Sequence, residues 1–404
     1  MVRNRFLAKR KSAKTAFCKE FRTMAQYKTV FHTLAKILPR HEIDRFDRKY
    51  GQGDKRRKSS RYVQFIVMLM AQILGLKSLR EIDQAQKSKQ KRLYHLGVKS
   101  PVSRSALSRM NDEWSADFFK DVFQQMLQSC KVLAPGSQCK LPGVNSLILM
   151  DATTIQLCLD VFPWATYTQA KGALKLHFGL NDDGYLPDFM VATTGKVHEI
   201  NVAKSLDYQP GSMICMICMD RGYTDYDWWE ELTRKGIYFV TRLKSNAVYD
   251  EIRRRAGRRS KNIVDDETIK LKGIQIPFRL IHYISPEDQH EYHFITNAMH
   301  LPAQTIADIC KERLQIELFF KWVKQNLKIK AFLGTSANAV MTQVWVALCL
   351  YLILAFIRFI SKTVHSMREI LNWIRINLFS NEILNDYLVP KMTEPIVNPQ
   401  LALF

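Results

Sequence analysis

Apolar residues first fall at helical spacing over 27–38 (YKTVFHTLAKIL), and a polar, charged stretch at 51–60 (GQGDKRRKSS) then reads as a linker. The helical period returns from 61 to 74. Gly75 closes that helix, and Ser78 with Glu81 three residues on forms a capping box that opens the next. Helix, glycine turn and short helix follow the order of a helix-turn-helix. A further helix is predicted through 118–127.

Near 139–143 the apolar period changes from 3.6 to 2. The run 146–150 (SLILM) predicts a short strand ending at Asp151. Strands follow at 173–180 and 185–193, and Asn181-Asp182-Asp183-Gly184 between them is a hairpin signal. A helix at 197–206 precedes an apolar strand at 213–219 that ends at Asp220. Strand, strand, strand, helix, strand is the order of a ribonuclease-H-like core. Beyond it the pattern predicts a helix at 228–235, a strand at 237–243, short strands with basic loops over 244–300, and one long helix over 306–330. Residues 344–357 are continuously apolar, about 14 residues against the roughly 18–20 that span a bilayer. Gln343 and Arg358 bracket them, which predicts a buried core helix and no membrane span.

Charge adds a partner to this picture. The formal net charge is +22, with a pI near 9.6, which favours a polyanion through phosphate neutralisation and counterion release. Residues 1–60 hold about 18 Lys/Arg against about 5 Asp/Glu, roughly +13 of that excess. Ser103, Arg104, Ser105, Ser108 and Arg109 alternate small hydroxyls with arginine, a composition suited to phosphate contact and equally to capping in an ordinary helical bundle. The expected organisation begins with a basic extension over 1–23 and a helical DNA-binding region over 24–135, Met24 being an alternative start. The apolar share of 47% suits a packed core. Eight cysteines without framework spacing, and an N-terminus without an apolar signal run, indicate reduced thiols in a cytoplasm. Cys215 and Cys218 have CxxC spacing but lie in an apolar run without a second pair or a nearby His, so core thiols are expected, not a zinc site.

Phosphoryl transfer on DNA needs an activated water or hydroxyl, a stabilised leaving oxygen and neutralised charge; two divalent ions about 4 Å apart supply all three. Mg²⁺ takes oxygen ligands and keeps several waters, so two or three carboxylates suffice. Asp151 and Asp220, each ending an apolar strand, fit such a site, although for either taken alone a capping role is the simpler reading. Within 310–330 (CKERLQIELFFKWVKQNLKIK), Arg313, Glu317 and Lys324 fall within roughly 40° of one helix face, and Cys310 widens the arc to about 60°. Leu314, Ile316, Leu318, Phe319, Phe320 and Val323 make the segment too apolar for a freely solvated helix. Arg313 with Glu317 is also an ordinary i,i+4 pair. His198-Glu199, following a strand, is a candidate for a site rim or a plain surface turn and receives no catalytic role.

Together these residues resemble a known family, the DDE transposases of the insertion-sequence group numbered four. That group carries a Tyr-x2-Arg-x3-Glu-x6-Lys signature, and this chain reads Cys310-x2-Arg313-x3-Glu317-x6-Lys324. The segments IELFFKWVKQNLKIK, DATTIQLCLDVFPWA and MDRGYTDYDWW are similar to the family's blocks around its glutamate and two aspartates. The stretch through SLREI and SRSALSRMN resembles the helical region that precedes the catalytic domain in a subset of the family, so the resemblance covers most of 24–390.

The resemblance implies a mixed α+β chain: the helical DNA-binding region, then a ribonuclease-H-like catalytic core over 140–235 and 301–375, interrupted by a β-rich insertion over 236–300, with a tail over 376–404. It implies that Asp151, Asp220 and Glu317 coordinate two Mg²⁺ or Mn²⁺ ions, and that Arg313 and Lys324 contact phosphates of the transposon end. Arg242, Lys244, Arg253, Arg254 and Arg255, with Arg104 and Arg109 in the helical region, are the expected DNA contacts, a solvated basic loop being the alternative for the insertion residues. The implied partners are double-stranded transposon ends and target DNA, with a homodimer in the DNA complex, no membrane and no nucleotide cofactor. The implied setting is a bacterial cytoplasm, nucleoid-associated when on DNA. Two departures stand out: Cys310 replaces the signature tyrosine, and 237–309 contains no Trp to receive a flipped base, with Tyr249 or Tyr283 as substitutes. The family's hairpin route is therefore not implied, whereas strand cleavage and joining are. Leu314, where relatives often carry Trp, is expected to alter packing only.

Overall fold

A computed structural model describes residues 29–38, 40–51, 59–134, 141–166, 168, 171–206, 216–255, 262–327, 329 and 331–388. The basic extension, most of the 51–60 linker, Cys215 and most of the C-terminal tail lie outside the described residues. The first helices are α1 (Val30–Ala35), α2 (Arg40–Tyr50), α3 (Arg61–Leu74), α4 (Leu79–Ser88), α5 (Gln90–Tyr94), α6 (Arg104–Glu113) and α7 (Asp117–Leu133). Then come β1 (Leu147–Leu157), β2 (Gly172–Asn181), β3 (Pro187–Thr194), α8 (Glu199–Ser205), β4 (Met216–Met219), α9 (Tyr226–Arg234) and β5 (Tyr238–Arg242). The chain continues through β6 (Tyr249–Arg254), β7 (Ile263–Leu271), β8 (Phe278–Ile284), β9 (Glu291–Thr296), α10 (Ala303–Glu312) and α11 (Leu314–Asn326). It ends in α12 (Ala337–Ser361), α13 (Met367–Asn377) and α14 (Leu384–Leu388).

Two compact units result. In the helical unit (29–133, 331–334 and 338–388), Gly75 caps α3 in the left-handed conformation at φ 69°, a setting that favours glycine. Helices α3 and α4 then meet at a 102° bend. Ser78 accepts the Glu81 amide at 3.2 Å as predicted, but the Glu81 carboxylate reaches one residue further back, to the Lys77 amide at 2.8 Å. The box therefore caps the turn as well as the helix. The apolar run 344–357 lies within the longer, 25-residue α12, which is long and apolar enough by composition to cross a membrane. It is a core helix here: 78% of its most apolar window is buried, Trp345 packs on Phe123 at 5.3 Å, and Gln343 bonds the Leu333 amide and Ala331 carbonyl. A helix apolar on every side needs neighbours on every side. Residues from 338 onward accordingly pack with the N-terminal helices in this unit.

The second unit (141–330 and 335–337) is built on a nine-stranded sheet of order β3-β2-β1-β4-β5-β9-β8-β7-β6. Strands β1, β4 and β5 run parallel, and β2 and β3 are antiparallel to their neighbours, the order of a ribonuclease-H-like core. Strands β6 to β9 add to the same sheet through the antiparallel β5–β9 pair. One apolar layer accordingly runs from Ile148 and Ile217 through Trp229 and Phe239 to Phe278 and Leu280.

Three predicted boundaries move. Asp151 lies within β1, not after it, because β1 continues to Leu157 as the hairpin partner of β2. Tyr185 (φ 53°) belongs to the turn with Gly184 (φ 82°), so β3 starts only at Pro187. The long helix is two: at Arg313 the hydrogen bonds tighten to i→i−3, and α11 ends where Leu327 turns extended.

Candidate active site

Parallel pairing between β1 and β4 stops at Met150 opposite Met219, so Asp151 and Asp220 follow on adjacent strands at the same level. Neighbouring strands lie about 4.8 Å apart, which brings the two carboxylates together from distant parts of the chain. Asp151 accepts the Ala152 amide at 2.7 Å, and Asp220 caps a short 3₁₀ turn by accepting the Arg221 amide. Asp220 thus serves as a cap while standing beside Asp151.

Helix α11 brings the third carboxylate to the Asp151 side of the sheet. Phe178, directly opposite Asp151, packs against Phe319 at 5.1 Å and Phe320 at 5.7 Å, anchoring the helix by its apolar side. Arg313 stands at the α10–α11 joint, 16% exposed, with Nη2 2.5 Å from Glu317 Oε1 and Nη1 3.4 Å from Asp151 Oδ2. One guanidinium therefore serves a group of three carboxylates. Burial pushes the Asp151 carboxyl up to about 6; the Ala152 amide and Arg313 oppose that rise, while Asp220 and Glu317 add to it. For Arg313 burial acts downward, but Asp220, Glu317 and Asp151 outweigh it and hold the guanidinium charged. Lys324, half-buried, lies two helical turns beyond Glu317.

Cys310, at the signature tyrosine's position, faces the Cys218 thiol of β4, and burial together with that contact pushes its pKa well up. The other predicted contacts are spread more widely. Arg242 covers the Tyr292 ring at 4.4 Å, and Lys244 is exposed just past β5. Arg253 is exposed, whereas Arg254 pairs with Glu251 (3.4 Å) and Asp265 (3.5 Å), and Arg255 donates to the Met299 carbonyl at 2.8 Å. Tyr283 is buried and Tyr249 half-buried on the sheet's outermost strand, so Tyr292, which the sequence reading passed over, is the aromatic beside Arg242. Also unforeseen is the Tyr185 hydroxyl, which donates to Glu312 at 2.7 Å one residue before Arg313. Glu199 pairs with Lys175 at 3.0 Å. Lys175 and His177 alternate with Phe178 and so lie on the sheet face away from Asp151.

Within the helical unit, Arg104 lines a recess of about 770 Å³ with Lys77, Arg80, Ser105 and Ser108. Ser103 is a cap, accepting the Ala106 amide at 3.3 Å, and Arg109 is exposed on the same helix. Lys77 and Arg80, hidden in the sequence beside a capping box, are the basic members that only the fold adds.

Residues 142–353 match the family described as the transposase DDE domain, and residues 26–99 match a domain of unknown function, DUF4372. A relative from Sinorhizobium fredii named as a transposase, y4zB, is 31% identical over 226 residues, 54% of this chain and 62% of its own length. This chain thus spans less than two thirds of that relative. A Geobacillus stearothermophilus relative, named as a transposase for insertion sequence element IS5377, is 27% identical over 63% of this chain and 67% of its own. Among solved structures, a piggyBac transposase synaptic complex with hairpin DNA is similar at a TM-score of 0.48 and 12% identity, covering 94% of this chain and 85% of the other.

Proposed function

The chain belongs to the family of transposase DDE domains, and on that premise we propose that it is the transposase of an insertion sequence, which binds its element's terminal inverted repeats and cleaves and joins DNA strands at Asp151, Asp220 and Glu317. The observation that carries this reading is the convergence of three carboxylates on one guanidinium. The cluster has more negative charge than Arg313 alone balances, three carboxylates facing one guanidinium. Oxygen donors of this kind suit two Mg²⁺ or Mn²⁺ ions held by Asp151, Asp220 and Glu317. When bound, such ions would activate the attacking water or 3′-hydroxyl and stabilise the leaving oxygen.

The protein's own contribution is position and charge. Asp151 and Asp220 are fixed by strand register, and Glu317 by the Phe178–Phe319–Phe320 packing of its helix. Arg313, beside the carboxylates, would offer a phosphate of the transposon end the two-pronged geometry of a guanidinium. Lys324 holds a phosphate further along the strand. Asp151 takes part as its carboxylate, the form that a bound cation and Arg313 both favour. The recess around Lys77, Arg80 and Arg104 supports end binding by the helical region, with Arg109 beside it. Synapsis of two ends makes the working species a dimer on DNA.

Incubation with pre-cleaved ends, target DNA and Mg²⁺ tests the reading, with strand-transfer product as the expected result. Cleavage without joined product would reduce the protein to a nuclease on the same fold. End binding with no cleavage at all would make it an inactive relative.

A further inference from the structure

A second group of cation-binding side chains stands on the β8–β9 pair, outside the carboxylate cluster. His282 and His293 are directly opposed in the antiparallel register, with ring centroids 4.3 Å apart. Glu291 lies two residues before His293, so the pleat sets it on the same face. Its Oε1 is 2.9 Å from His293 Nε2 and 3.6 Å from His282 Nδ1. One ligand atom from each of the three lies within 4.8 Å of the others.

We propose that His282, His293 and Glu291 form a site for a divalent transition-metal ion of zinc's class. Zinc binds nitrogen and oxygen donors at about 2.0–2.1 Å, which sets tetrahedral ligand atoms roughly 3.3–3.4 Å apart. The two carboxylate–imidazole distances straddle that value, so closure on an ion needs only side-chain adjustment. Two imidazoles with one carboxylate select zinc-like ions over Mg²⁺, which prefers an all-oxygen shell. This donor set therefore differs in kind from the Asp151–Asp220–Glu317 cluster.

Asp265 of β7 is directly opposite His282 and adds a carboxylate beside the site, itself paired with Arg254 at 3.5 Å. His282 is 17% exposed and its Nε2 is a buried nitrogen without a hydrogen-bond partner. Glu291, 55% exposed, leaves the site open to an entering ion and to a water in the fourth position. The reverse face of the same strands carries Tyr283 under Lys311 and Tyr292 under Arg242, at 5.6 Å and 4.4 Å. An ion would thus brace the hairpin that presents these cation–aromatic pairs.

The test uses tag-free full-length protein carrying D151N, D220N and E317Q, which removes the other carboxylate cluster, titrated with Co²⁺. One equivalent should give visible absorption of tetrahedral intensity, displaced by Zn²⁺ but not by Mg²⁺. Adding His293→Ala, or the isosteric and exposed Glu291→Gln, should weaken binding by more than the roughly 10–100-fold typical of losing an outer-shell partner. Circular dichroism without metal checks that each variant is folded, and the exposed Glu291→Gln serves if His293→Ala is not. Absence of a one-equivalent signal, unchanged binding in folded variants, equal displacement by Mg²⁺, or thiolate charge-transfer bands pointing to cysteine ligands would each overturn the proposal.

Discussion

The two halves of the nine-stranded sheet each take in an arginine and use it in opposite ways. In the β6–β9 half Arg279, 4% exposed, meets Asp266 through two bonds of 2.8 Å and 2.7 Å, and its remaining Nη turns to the carbonyls of Ala298 and Leu301. Its charge and donors are matched locally, as a buried structural pair requires. In the β1–β5 half Arg313 is shared among three carboxylates, one bond short and one long, and the cluster retains surplus negative charge. Satisfied charge holds a fold together. Surplus charge, fixed in place by strands and aromatic packing, is available to a ligand from outside.

The largest effects are expected at the carboxylate cluster. Glu317→Gln or Asp220→Asn should lower cleavage at least about 10³-fold, roughly 4 kcal/mol of barrier, while leaving end binding intact in gel-shift assays. Full cleavage by Glu317→Gln would remove it from the metal site. At the structural end, Arg279→Met strands Asp266 in the interior and should cost about 3 kcal/mol or more by urea denaturation. A neutral outcome there would mean that Arg255, 3.8 Å from Asp266, takes over its charge.

Asp151→Asn should act on stability with the opposite sign. The folded carboxyl titrates near 6 against an ordinary 3.8, so the native state binds the extra proton between those values. The associated stability is full below about 4, falls as pH rises through about 6, and stays lost at neutral pH. In metal-free protein at pH 7.5, Asp151→Asn should therefore be more stable by up to about 3 kcal/mol, with little difference near pH 4. A destabilised Asn variant would show that the carboxylate is structural after all. The smallest effect concerns DNA contact outside the cluster. Arg253→Ala should reduce the salt slope of binding by about one, with stability changed by less than about 0.5 kcal/mol, whereas Arg254→Ala, already paired within the sheet, should move the slope less.

Helices and apolar strands were legible in the chain because their signals are local. The α3–Gly75–α4 corner, the apolar strand into Asp220 and the apolar core of α12 all follow from periodicity, one left-handed glycine and a cap. The stripe of Arg313 and Glu317 was legible for the same reason, since residues four apart meet on any helix and their 2.5 Å contact needs no distant partner. Where a strand really ends was not. Asp151 follows an apolar run, yet β1 continues past it because β2 extends the pairing, and that partner is chosen by contacts across the sheet.

By itself, then, the amino-acid sequence determined which segments could be helix or strand, the excess of positive charge, and the residue types able to bind phosphate or a hard cation. Register decided the rest: Asp151 beside Asp220, His282 opposite His293 eleven residues on, and Arg254 and Arg255 occupied within the insertion. Pairing between strands depends on partners far away in the chain, and a carboxylate or imidazole gains its chemistry from those neighbours, not from its position in the sequence.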